Sequence, residues 1–166
     1  IFNEPFNPKE FNFNVDECKE ELFHSDIINK AHWDFLFNRY PFAPFHFLAV
    51  PDRLQGKNQY LDPERDAGII ETTWEMVAKN LGERVRIAYN SLKAHASVNH
   101  LHFHGFFTNP DWQMPIDNWL KRGSFPQEDF YFKDAFLIPS SADTTRELRK
   151  FIKNMNLRCD NNDDLA

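Results

Sequence analysis

Apolar side chains recur at every second position in several separate stretches, the spacing of a strand with one face buried. Trp33, Phe35 and Phe37 alternate, and Phe45-His46-Phe47-Leu48-Ala49-Val50-Pro51 reads as the returning strand of a hairpin, with Pro41 and Pro44 breaking the pattern between them. Val85, Ile87 and Tyr89 alternate over 84–89, and Leu101 and Phe103 alternate with His100, His102 and His104. Phe11-Asn12-Phe13-Asn14 predicts a short strand closing an N-terminal arm over residues 1–14. Further strands are predicted at 130–132 and 135–138.

Helical spacing appears elsewhere. Ile70, Trp74, Val77, Ala78 and Leu81 fall on one face of a predicted helix. Asp62 is its expected cap, Pro63 suits its first position, and Gly82 ends it. A short helical turn is predicted from Asp16, as N-cap, to Phe23. A final helix, capped by Ser141 or Asp143, turns Leu148, Phe151, Ile152 and Met155 inward, and the acidic tail over 156–166 is expected to fray. The whole predicts an α+β domain spanning 1–166, with an antiparallel sheet of five or six strands flanked by helices.

Composition narrows the function classes. The chain has 166 residues, 42% of them hydrophobic and 27% charged, which suits one globular domain. A net charge of -6 argues against a broad nucleic-acid surface. No apolar run approaches the roughly 18 residues of a membrane span. Two cysteines, Cys18 and Cys159, make no disulfide framework, so a cytoplasmic setting is expected. Ile1 in place of an initiator Met implies a trimmed or partial chain.

The chemistry concentrates in Ser97-Val98-Asn99-His100-Leu101-His102-Phe103-His104-Gly105, where three of the seven histidines stand at spacing two. In a strand they would form a row on one face, with Leu101 and Phe103 backing onto the core. Such a row is an ordinary exposed strand face, a metal site, or a site of nucleophilic attack on phosphorus. As ligands, His100 and His102 would suit a metal-dependent enzyme of the cupin kind, but the Glu expected downstream is missing.

The block Ala88-Tyr89-Asn90-Ser91-Leu92 through Ala96-Ser97-Val98-Asn99-His100-Leu101-His102-Phe103-His104 resembles the histidine-triad superfamily, whose signature is His-φ-His-φ-His-φ-φ with φ apolar. More narrowly it is similar to the GDP-hexose phosphorylase branch. The resemblance implies a HIT-like fold and a phosphorylase cleaving GDP-hexose with phosphate to GDP and hexose 1-phosphate. His102 would be the covalent nucleophile, His100 would fix its tautomer, and His104 would donate to the phosphate or leaving oxygen. Asn38 would bind the ribose and His46 would support the triad. Asn90, Ser91, Ser97 and Asn99 would line the nucleotide site. Taken without the resemblance, Asn38, Asn90 and Asn99 are turn formers.

The implied partner is a nucleotide or nucleotide sugar, without nucleic acid or membrane; a homodimer and an accompanying divalent cation are compatible, with no cofactor or metal required. Related readings are a histidine-triad hydrolase, a dinucleoside polyphosphate phosphorylase or adenylyltransferase, and a non-catalytic nucleotide-binding module.

Overall fold

A computed structural model describes residues 3–76, 85–108 and 144–160. The predicted strands at 130–132 and 135–138, the end of the predicted helix near Gly82, and residues 161–166 lie outside these. The fold is α+β. Five strands, β1 (Leu22–Ile28), β2 (Ala31–Phe37), β3 (Phe47–Pro51), β4 (Val85–Ala88) and β5 (Phe103–Phe107), form one antiparallel sheet in the order β1-β2-β3-β5-β4. Among the described residues three α-helices accompany it: α1 (Asp16–Lys19), α2 (Ala67–Glu75) and α3 (Thr144–Asp160).

The register sorts the side chains into two layers. Trp33, Phe35, Phe47, Ala49, Val85 and Phe103 share a core with Ile69, Ile70 and Met76 from α2 and its end, and Leu148 and Ile152 of α3 pack against it. Gly105 belongs to this face. A Cβ there would overlap the Phe47 ring, so the missing side chain is what lets Phe47 lie across β5. On the opposite face Leu36, Leu48 and Val50 are covered by Phe13 and Cys18. β2 is therefore buried on both sides, which explains why Asp34 and Leu36 are as hidden as Trp33 and Phe35.

Several expected elements take another form. Residues 11–14 are not a strand: the Asn12 amide accepts the Asn14 N–H and donates to the Glu10 carbonyl, curling the arm into a turn that drives Phe13 inward. Asp16 is the first helical residue and not a cap, and its carboxylate takes Lys19 at 2.6 Å. The helix stops at Lys19 because the chain enters β1, an edge strand that has five successive exposed residues and so lacks period two.

α2 begins at Ala67, four residues after the start that Asp62 as cap and Pro63 as first residue suggested. Asp62 does cap, but it caps a preceding turn: its Oδ1 accepts the N–H groups of Glu64 and Arg65, and Asp66 returns a bond to the Asp62 N–H. α3 continues to Asp160, so residues 156–160 are helical and not a frayed tail. Arg149 ties α3 to the Pro63 carbonyl at 3.1 Å. Among the described residues no helix is long and apolar enough to cross a membrane.

Candidate active site

The histidines do not form a solvated row on one strand. β5 begins at Phe103, so only His104 has strand geometry, and His100 and His102 lie in the irregular segment before it. Leu101 and Phe103 do back onto the core. His100 and His102 are nevertheless also buried, at 0% and 4% exposure, because the N-terminal arm closes over them. Phe13 packs on both rings, with centroids 5.4 Å from His100 and 5.1 Å from His102, and Phe6 adds an edge contact to His100 at 5.1 Å.

The segment carrying His100 and His102 is held by a second irregular stretch in place of a ladder. Leu101 donates its N–H to the Lys57 carbonyl at 2.7 Å. The fully buried Gln59 side chain accepts the His102 N–H at 2.8 Å and donates to the His102 carbonyl at 3.1 Å and to the Asn90 carbonyl at 2.7 Å. These bonds satisfy backbone groups that would otherwise be orphaned away from water.

Fixed donors and acceptors of the main chain assign the tautomers. The Phe42 N–H points to His46 Nδ1 at 3.3 Å, making that nitrogen an acceptor and leaving the proton on Nε2. A His46 Nε2–H directed at His104 Nδ1, 3.0 Å away, leaves the His104 proton on Nε2, while the Asn38 amide donor at 3.1 Å competes for the same His46 nitrogen. His102 has the reverse arrangement. Its Nδ1 lies 2.7 Å from the His100 carbonyl oxygen, which can only accept, so Nδ1 is protonated and Nε2 is a bare lone pair. The His102 and His104 rings meet edge to face at 5.1 Å. The site thus sets an unprotonated imidazole nitrogen beside an imidazole N–H donor.

Burial keeps these rings neutral. Desolvation, with the proximity of His104 adding to it for His46 and His102, lowers the pKa of His46, His100 and His102 to about 4. His104, half-buried, is lowered by desolvation as well. At pH 7 the cluster presents nucleophiles and neutral donors, not cations.

A buried ion pair stands behind His100. Arg53 Nε donates to Asp34 Oδ2 at 2.6 Å, and its terminal NH1 donates to the Phe13 carbonyl at 2.9 Å. The Phe13 N–H in turn donates to His100 Nδ1 at 3.2 Å. Ser25 Oγ completes the Asp34 shell at 2.5 Å. Burial alone would raise the Asp34 pKa, but the Ser25 and Arg53 hydrogen bonds outweigh it and hold the carboxyl below its usual range.

Residues 1–106 match the family model described as GDPGP1-like, N-terminal domain. The chain belongs to that family. Curated relatives agree: it is 35% identical over 104 residues to GDP-D-glucose phosphorylase 1 of Danio rerio, and 33% identical over 109 residues to that of Bos taurus. The aligned stretches cover 63% and 61% of this chain but 29% and 27% of those relatives, so the chain matches under a third of their length.

In this GDPGP1-like domain the other predicted site residues separate into two groups. Asn38 lies at the end of β2, where its Oδ1 accepts the Tyr40 N–H at 2.9 Å, which turns the amide nitrogen toward the His46 ring at 3.1–3.3 Å. Asn99 bridges the arm to the centre, donating to the Glu4 and Pro5 carbonyls and accepting the Gln59 N–H. Asn90 reaches the site through its backbone carbonyl on Gln59. Ser91 and Ser97 bracket the turn pinned by the Leu92–Ala96 bridge, in which Lys93 and His95 take left-handed φ of 64° and 69°. Ser97 is exposed there.

Gln59, Phe13, Arg53 and Asp34 were not anticipated. Gln59 and Arg53 sit in a polar stretch without period, so no sequence signal marks them. Asp34 does carry one, as a charge between Trp33 and Phe35 in an otherwise aromatic strand. Among the described residues no three His, Cys, Asp or Glu side chains are grouped to hold a metal ion.

Proposed function

We propose that the domain carries the nucleotidyl-transfer site of a GDP-hexose phosphorylase acting by histidine-triad chemistry. The observation that carries this reading is the His102 tautomer: Nδ1–H is committed to the His100 carbonyl, which leaves Nε2 as the attacking lone pair. The relatives' name, GDP-D-glucose phosphorylase 1, supports GDP-glucose as the first substrate to test.

In the first step His102 Nε2 attacks the α-phosphorus of the GDP-hexose. The N–P bond forms as the bond from that phosphorus to the bridging oxygen breaks. The electron pair departs on that oxygen with hexose 1-phosphate, leaving guanylyl-His102. The positive charge that develops on the ring is stabilised through Nδ1–H by the His100 carbonyl. His104 Nε2–H is the donor toward the phosphate or leaving oxygen, and His46 holds it in that tautomer. Inorganic phosphate then attacks the guanylyl phosphorus, releasing GDP and returning His102 to its starting state. Asn90, Ser91, Ser97 and the exposed turn between the two serines are the proposed nucleotide side, with Asn38 toward the ribose.

The test is to incubate the protein with a panel of nucleoside diphosphate sugars, with and without phosphate, and identify the nucleotide released. GDP that appears only with phosphate is expected, together with a guanylylated wild-type protein and none in His102→Ala. Nucleotidylated His102→Ala protein would overturn the nucleophile, and GMP released in both conditions would make the enzyme a hydrolase.

A further inference from the structure

His100 and His102 precede β5, so sheet hydrogen bonds do not hold the acceptor that sets the nucleophile's tautomer. Lys57 and Gln59 grip the two peptides on either side of Leu101. The His100 side chain is the remaining anchor, and one chain of hydrogen bonds holds it. Asp34 fixes Arg53, Arg53 holds the Phe13 carbonyl, and the N–H of the same residue holds His100 Nδ1. His100 Nε2 is buried with no hydrogen-bond partner among the described residues.

We propose that Arg53, oriented by Asp34, is a positioning residue for nucleotidyl transfer, locking Phe13 and His100 so that the His100 carbonyl holds Nδ1–H of His102. The proposal rests on His102 being the nucleophile. A guanidinium suits the task because its planar fork donates to two acceptors in fixed directions, to Asp34 through Nε and to Phe13 through NH1. A lysine ammonium offers no such fork. Both partners are nearly sealed from water, with side-chain exposures of 9% for Arg53 and 2% for Asp34. A pair so buried contributes little net stability over an apolar pair of similar volume, because desolvation offsets the Coulomb attraction. Its value therefore lies in what it orients.

The decisive variant is the double replacement Asp34→Leu/Arg53→Met, which removes both charges together and leaves no unpaired ion in the core. Nitrogen-15 chemical shifts of the His102 ring are read in the whole protein alongside steady-state kinetics with GDP-glucose and phosphate. Wild type is expected to show one protonated Nδ1 and one bare Nε2. The double variant is expected to show the two His102 nitrogen shifts converging, with kcat lower by about ten- to a hundred-fold and KM within about two-fold. Arg53→Lys, which keeps a charge without the fork, is expected to fall in the same direction and serves if the double variant does not fold.

A folded variant that retains the wild-type His102 shifts and kcat would overturn the proposal and reduce the ion pair to scaffolding. Normal turnover by His102→Ala would instead overturn the nucleophile, and the nitrogen shifts would still report whether Arg53 sets that ring's tautomer.

Discussion

Gln59 holds His102 by both ends of its backbone, accepting the N–H at 2.8 Å and donating to the carbonyl at 3.1 Å. The same amide nitrogen reaches the Asn90 carbonyl at 2.7 Å, so one buried side chain couples the end of β4 to the residue proposed as nucleophile. Replacing it with Glu keeps the shape and the acceptor but turns the donor into an oxygen facing two carbonyls. The expected loss of stability is about 2–4 kcal/mol, from two broken hydrogen bonds and a carboxylate buried against like partial charges. Urea denaturation of Gln59→Glu checks this; an unchanged midpoint would show that the amide is not holding the segment.

Gly105 makes a packing prediction independent of any chemistry. A methyl group there overlaps the Phe47 ring, which is buried at 7% exposure and pairs with Gly105 across the β3–β5 ladder. Gly105→Ala is expected to destabilise the fold by about 1–3 kcal/mol, the cost of overpacking a filled core. Phe47→Leu added to it should recover part of that loss, because the overlap involves the ring's outer carbons. Thermal denaturation of the single and double variants measures both, and equal melting points for Gly105→Ala and wild type would refute the steric account.

Legibility in the sequence followed how locally each feature is specified. The β2, β3 and β4 strands show in the spacing of Trp33, Phe35, Val85 and Ile87, because one side of each packs against a uniform helical layer. β1 escaped because an edge strand with exposed residues from Phe23 to Ile27 has no buried face to impose alternation. The histidine cluster was visible as a motif, whereas its burial was not. What seals His100 is Phe13, 87 positions away, and what holds His102 is Gln59, 43 positions away, so neither contact leaves a periodic trace. The expected single-face row assumed a strand from His100 onward, and the Lys57–Gln59 stretch supplies an irregular partner there in its place.

The histidines also set how stability depends on pH. His46, His100 and His102 have folded pKa values of about 4, below the 6.5 they regain on unfolding. Above pH 6.5 both states are neutral and the stability is complete. As pH falls from 6.5 toward 4 the unfolded chain binds protons that the folded one refuses, so stability declines through that window and levels off below it. Unfolding near pH 5 should therefore take up roughly three protons from these rings. Asp34 acts lower: its folded pKa lies below the 3.8 of a free aspartate, so its contribution is lost only as pH drops beneath that value. Urea midpoints at pH 7.5, 6, 5 and 4 test the assignment, and a flat profile from pH 7.5 to 5 would mean the rings titrate alike in both states.

The His46–His104 contact predicts which replacement of His104 the site tolerates. With the shared proton on His46 Nε2, His104 Nδ1 accepts it and the His104 Nε2–H remains as donor. Glutamine offers the same pair of functions, an amide oxygen for His46 and an amide N–H for the phosphate, but it cannot take on a proton. If His104 only donates a hydrogen bond, His104→Gln should keep GDP formation within about ten-fold of wild type, whereas His104→Ala should lose about a hundred-fold or more. If His104 instead transfers a proton to the leaving oxygen, both variants fall together. Hexose 1-phosphate is a good leaving group whose oxygen needs little protonation near neutral pH, so hydrogen-bond donation is the expected role. Comparing kcat for the two variants with GDP-glucose and phosphate at pH 7 separates the cases, and an equal, large loss in both would assign His104 a proton-transfer step.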